Sequence, residues 1–366
     1  MGRYVGGIFG NTVPGNPPTG AGSAVWSMRD QNWFASENKW IATVTATGGN
    51  IDGLQPGNGY TYHVFTSPGT FTVSVAAVGE VDCLVVGGGG AGGRQHGGGG
   101  GSGAAVHWSN FPISAQGYPI SIGEGGAQPQ GPGFNVPGSP NTATAGGNTT
   151  ISSPTATMIL AAGGGAGGTW NAAPNLGPSG GSAGGGNMVG APTIPTTTGL
   201  TTPGAPSTSP APNATTDSGG KSYQTDGGTG QDGGGGGGGS GQAGNPTNPT
   251  QPGIGGNGQP FPGFAGPLFP SMPTDWKTAV GPTGHFAGGG GGGGHAGSCP
   301  TTPVGCGAPG GEGGGGNGGN YISPEPSSTD GDPGLANTGS GGGGGGSNDV
   351  SSGLGGDGVV IIRYPG

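Results

Sequence analysis

Charge is scarce in this sequence: 7 Lys and Arg stand against 16 Asp and Glu in 366 residues, a net charge of -9. Seven cations cannot form the basic stripe that nucleic-acid binding needs, so no nucleic-acid partner is expected. The acidic balance argues against an anionic membrane surface, and it is too dilute for an acidic tail. Large apolar residues are scarce as well. Leu, Ile, Val and Phe together number 50 of the 366 residues, too few for an ordinary core through this length. No apolar run approaches the ~20 residues of a membrane helix, so no membrane insertion is expected. Met1-Gly2-Arg3-Tyr4 opens without a charged region followed by an apolar stretch, which leads to an expectation of synthesis in a cytoplasm. Cysteine is limited to three residues. Cys83 lies in a predicted strand and reads as a small buried hydrophobe. Cys299 and Cys306 flank a turn-rich loop that is either closed by a disulfide or left reduced, and no zinc-type spacing accompanies them. Neither a metal nor a cofactor is expected.

Glycine fills the space that these absences leave. Gly and Pro supply 103 and 36 residues, a share at which composition suggests low complexity. Disorder also calls for high charge, and charged residues are only 6%. Collagen fails because the glycines come in runs and not in a strict Gly-X-Y period. A glycine-built structural or display protein remains.

Along the chain, residues 1–57 read as an N-terminal arm with one short helix. Ser23 can cap that helix, and Trp26, Trp33 and Trp40 recur every seven residues on one face. So short a helix is marginal alone, and its indoles must dock on their own domain or on a partner. Strands are predicted at Ile41–Thr47, Tyr60–Phe65, Thr70–Val75 and Glu80–Val86, where alternation or apolar runs meet turn residues. Shorter ones follow at Ala104–Trp108, Tyr118–Ile122, Thr149–Ile151 and Thr157–Ala161, and a last one at Gly358–Tyr364. The fold class is therefore mainly β, a short-stranded sandwich-like domain over 58–366. Its strands fall in 58–160 and its closing strand in 357–366. Residues 161–356 hold the runs Gly233–Gly239, Gly288–Gly294 and Gly341–Gly346. Side-chain-free threefold strands can pack so closely that each N–H finds a carbonyl on a neighbour, as the missing Cβ allows in collagen. Glycine loses the most entropy on ordering, so many mutually bonded runs are needed to offset it. A bundle of packed poly-glycine helices is predicted.

One motif looks catalytic. Val85 to Gly93 resembles the strand-to-glycine turn of a dinucleotide-binding fold, which works because a helix follows and aims its N-terminus at the pyrophosphate. Here Arg94-Gln95-His96 and another glycine run follow, and these cannot sustain a helix. No acidic residue sits about 20 positions on, no Walker lysine follows any glycine loop, and no carboxylate pair lies in a foldable context. No enzyme is expected.

The ordered elements carry a family resemblance. Gly59-Tyr60, Val64 to Val73 and Val81 to Gly93 resemble the opening of the glycine-rich domain of bacteriophage tail-fibre and virion surface proteins. Tyr118 to Gly126 is similar to its next strand and turn, Met158 to Gly165 to the following element, and Gly355 to Tyr364 to its closing strand. Gly6 to Gly10 and the Trp26-to-Trp40 segment resemble the leader of structural proteins of marine cyanophages. The resemblance implies a packed poly-glycine scaffold whose loops touch a host receptor, protein or glycan. It also implies a place in the virion, on the tail or another surface appendage, with Trp26, Trp33 and Trp40 attaching the arm to other phage structural proteins. A homotrimer is expected on the same basis. Residues 254–286 read as a loop stiffened by proline, with Phe261, Phe264, Phe269, Trp276 and Phe286 as candidate receptor contacts. The same aromatics can instead cover the domain's own ends or a subunit seam. The alternative function is a non-adhesive virion component such as a capsid decoration, a horn or a tail part.

Overall fold

The computed structural model describes residues 44–76, 79–129, 143–169, 181–186, 215–217, 220–230, 233–248, 251–295, 306–321, 328–347 and 350–366. Trp26, Trp33, Trp40 and Cys299 lie outside them. The first strands are β1 (Val44–Thr47), β2 (Ile51–Leu54), β3 (Tyr60–Phe65), β4 (Gly69–Ala76) and β5 (Glu80–Val86). Next come β6 (Ala105–Pro112), β7 (Gly117–Ser121), β8 (Thr149–Ser152) and β9 (Thr157–Ala161). Short pieces complete the set: β10 (Thr215–Asp217), β11 (Gly220–Tyr223), β12 (Gln259–Pro260), β13 (His285–Phe286) and the closing β14 (Val359–Pro365). The fold is mainly β.

Two antiparallel sheets face each other. One has the order β1-β4-β7-β8-β9 and the other β10-β11-β6-β5-β14-β3-β2. Strands β5 and β14 pair at the centre of the larger sheet, Leu84 opposite Ile361 and Cys83 opposite Ile362. Their near-continuous apolar runs follow from burial on both faces. Val81, Cys83, Val85, Val360 and Ile362 point between the sheets, against Phe71, Tyr118 and Ile151. Leu84, Val86, Val359 and Ile361 point outward, under residues 261–287. Cys83 is a free, buried thiol, and burial with the nearby Asp82 charge raises it well above the usual thiol range.

The sheets begin earlier than the sequence boundary at 57. β1 pairs with β4 and β2 with β3, so residues 44–54 belong to the domain and not to an arm. The reason is a buried anchor between them. His63, with no exposed side-chain surface, donates from Nδ1 to the Gly48 carbonyl (2.9 Å) and lies 3.1 Å from the Asp52 carboxylate. Its Nε2 accepts from the Tyr364 hydroxyl (2.9 Å). Burial lowers the His63 pKa, against the opposing pull of Gly48 and Asp52. The unfolded chain therefore takes up this proton more readily than the folded one, and stability falls as pH drops through about 6.5 towards the folded value. Melting temperature is expected to decline from pH 7.5 to pH 5, and less steeply in His63→Gln; parallel profiles would remove His63 as the cause.

Beyond the sheets the chain builds a lattice of backbone hydrogen bonds. From Gly97 to Ala104 every N–H donates to a carbonyl, taking three neighbours in rotation. Residues 97, 100 and 103 reach Gly345, Gly342 and Gly339; residues 98, 101 and 104 reach Gly168, Gly165 and Ala162; residues 99 and 102 reach Gly235 and Gly238. Their carbonyls accept from three further segments, through Gly93, Gly90 and Gly87, through Gly185 and Ser182, and through Gly293 and Gly290. A central strand with six neighbours and a return every third residue is a threefold helix in hexagonal packing. No glycine at 87–93, 97–103, 234–239, 288–294 or 341–346 has a positive φ, which fits the left-handed threefold geometry. A Cβ built at Gly99 would fall inside the Gly290 carbonyl oxygen, and one at Gly341 inside that of Gly100. Where the runs do carry a Cβ, as at Ala91 and Ala166, it is buried in a small alanine cluster with Ala143.

Candidate functional site

The five aromatics expected at a receptor surface are core residues. Phe261, Phe264, Phe269, Trp276 and Phe286 are exposed by 5% or less. The expectation of a loop is corrected too: two 3-10 turns, at Pro262–Phe264 and Gly266–Leu268, lead into the helix α1 (Thr274–Val280). This segment lies over the outward face of β3, β5 and β14, because Tyr62, Leu84 and Ile361 leave an apolar surface that water cannot be left to cover. Phe269 meets Tyr62 edge-on with centroids 5.4 Å apart, and Trp276 meets Phe286 at 5.8 Å. A polar clasp fixes the edge of the cover. Arg363 pairs with Asp82 (Nε to Oδ2 2.7 Å), and its Nη1 donates to the Gly263 carbonyl at 2.9 Å. His107 Nε2 meets the other Asp82 oxygen at 2.7 Å. Residues sealed in this way have no surface to offer a receptor.

The molecule has two distinct poles. β5 runs into the glycine segment 87–93, segment 97–104 runs into β6, and segment 351–358 into β14, so the sheets cap one end of the bundle. Val44 pairs with Ala76 at the edge of the sheets away from the bundle, while Gly69 at the other end of β4 pairs with Ile120 near the bundle. The chain therefore enters at the pole farthest from the bundle's free end. At that free end it turns back. Residues 94–96 reverse it, with positive φ at Gln95 and His96. The His96 N–H donates to the Gly346 carbonyl, the Gly294 N–H to Gly319, and the Gly307 N–H to Asn320 Oδ1 (2.9 Å). Those contacts gather the ends of several glycine segments into one terminal surface. The His96 and His295 rings meet there at 4.4 Å, and Cys306, nearby in the chain, is disulfide-bonded.

The nucleotide-like turn has its donors engaged elsewhere. Each N–H from Gly87 to Gly93 donates to a backbone carbonyl of another segment, leaving none to cradle a phosphate. Among the described residues no group of three or more His, Cys, Asp or Glu side chains gathers. Residues 66–365 match the family model of a glycine-rich domain. The chain belongs to this glycine-rich domain family. No curated protein matches it.

Within this glycine-rich domain, outer segments differ from inner ones in a way that sequence reading missed. At the rim every third residue bears an outward side chain: Glu124 and Ala127, Ile254 and Asn257, Asn317 and Asn320, Leu354 and Asp357 are exposed or half-exposed between buried or half-buried glycines. The signal was present as the repeat Gly-Gly-Asn-Gly-Gly-Asn over 315–320. A period of three with two glycines between side chains marks an edge, and an unbroken run marks the interior.

Proposed function

We propose that this chain is a structural protein of a phage virion, acting as a tail fibre or fibre tip that binds the host cell surface. In this reading the N-terminal residues, Trp26, Trp33 and Trp40 among them, hold it to other virion proteins, and the free end of the bundle carries the receptor contacts. The observation that carries the reading is polarity: Val44, where the described chain enters, lies at the sheet pole, while the reversal at 94–96 and the ends of several glycine segments meet at the opposite one. A lattice in which most backbone N–H groups are tied to a neighbouring segment is stiff, and loops mounted on it lose little entropy on binding. The resemblance of the ordered elements to tail-fibre glycine-rich domains points the same way, and trimeric assembly belongs to this reading.

Deleting residues 1–40 is expected to leave a folded domain that is missing from purified particles. Cryo-electron microscopy of particles with the full chain should place its density at a fibre. Recovery of the truncated protein in particles would remove the N-terminal anchor, and density on capsid faces or vertices would replace adhesion by decoration.

A further inference from the structure

On one flank of the bundle, towards its free end, three neighbouring segments leave an open trough of about 290 Å3. Its walls include Gly307, Asn317, Asn320, Thr329, Asp330 and Asp332. Asn317 and Asn320 are one threefold turn apart, as are Thr329 and Asp332, so each pair lies along a single line. Each side chain is fixed through at least one atom. Asn317 Oδ1 accepts from the Gly310 N–H (3.1 Å) and its Nδ2 donates to Asp332 Oδ2 (3.0 Å). Asn320 Oδ1 accepts from the Gly307 N–H (2.9 Å), and its own N–H donates to Thr329 Oγ1 (2.8 Å). Asp330 Oδ1 accepts from the Ser351 N–H (2.7 Å). Asn320 Nδ2, Asp330 Oδ2 and Asp332 Oδ1 make no hydrogen bond among the described residues. The trough thus offers one carboxamide donor group and two carboxylate acceptors on a preset backbone.

We propose that this trough binds a neutral saccharide; the proposal rests on the display reading above and names the class of ligand taken at the bundle's flank. The lining decides the class. It contains no Lys or Arg, and its two carboxylates repel an anion. It contains no large apolar or aromatic side chain, so a hydrophobic ligand gains nothing there. A calcium ion takes six to eight oxygens, and each carboxylate here has already spent one on an N–H donor. Adjacent hydroxyls of a sugar ring are donors and acceptors at once, and they match untethered carboxylate and carboxamide atoms one for one. A volume of about 290 Å3 is at the small end of ligand sites, which suits one or two rings of a longer chain. Preorganisation by the glycine lattice lowers the entropy cost of this capture.

The test is a saturation-transfer NMR titration of the full chain, with a chelator present. The probes are methyl glycosides of glucose, galactose, mannose and N-acetylglucosamine, together with their disaccharides. At least one is expected to saturate. The double variant Asp330→Asn, Asp332→Asn keeps the shape and the structural acceptors but loses the charged ones, and it should bind about tenfold more weakly or worse. Glu124→Gln, on another rim segment, should bind as the unchanged chain does. Absence of saturation by every probe, or equal binding by a double variant with an unchanged melting temperature, overturns the proposal. Those outcomes leave a fibre location untouched, whereas saturable binding by a protein found on capsid faces would sink the fibre reading and keep the sugar site.

Discussion

Gly99→Ala is expected to destabilise the protein by about 3 kcal/mol or more, with a single methyl group. Elsewhere this exchange is mild: where φ is compatible, alanine in place of glycine stabilises by roughly 0.4–1 kcal/mol through the unfolded chain. The lattice reverses that sign. Gly99 donates to the Gly235 carbonyl at 2.9 Å and accepts from the Gly185 N–H at 2.7 Å, while its Cβ would occupy the Gly290 oxygen. A side chain could swing aside, but a carbonyl held in a hydrogen-bonded segment cannot move without breaking bonds to further segments. Ile254→Ala is the matched comparison. Ile254 is 39% exposed on an outward row of the same bundle, and its truncation should change stability by no more than about 0.5 kcal/mol. Denaturant midpoints of the two variants give the comparison directly. Equal stability for Gly99→Ala and the parent would mean that the lattice does not hold the domain together.

Trp276→Ala is expected to cost about 3–5 kcal/mol, the range for removing a large aromatic from a core. Trp276 is 1% exposed, and its ring meets Phe269 and Phe286, both with centroids 5.8 Å away. Its indole N–H donates to the Asn337 carbonyl at 2.9 Å, which truncation leaves without that donor. The helix α1 that carries it has only seven residues and cannot persist without docking. Loss of the indole therefore loosens the whole cover over the outward face of β3, β5 and β14. A denaturant midpoint and a near-ultraviolet dichroism spectrum should shift together. If both stay unchanged, the cover is dispensable, and the aromatics return as candidates for surface contact. Triple replacement of Phe264, Phe269 and Trp276 consequently tests folding before it tests adsorption.

The legible parts of this fold were those where side chains carry the signal. Tyr60–Phe65 and Glu80–Val86 alternate or run apolar, and both strands have the predicted bounds. Residues 51–54 were missed because Ile-Asp-Gly-Leu has no clear period, and what places them beside β3 is a partner distant in sequence. Over the aromatic segment 261–286 prolines and glycines mask a short helix, so its sequence resembles a loop. Nothing local shows that the strands it covers have two apolar faces. The glycine bundle was legible as a need for mutual hydrogen bonding, but its inside and outside were not separated. Asn317 and Asn320, at a spacing of three, carried that distinction. Cys83 behaved as its strand position suggested.

Amide hydrogen exchange along the glycine runs tests the central claim most directly, because the lattice is made of N–H donors and little else. The runs at 97–104, 234–239 and 289–294 should exchange only through global unfolding, as slowly as the central strands β5 and β14. Exchange of those amides at the rate of an unstructured peptide, while the strands stay protected, would contradict the account.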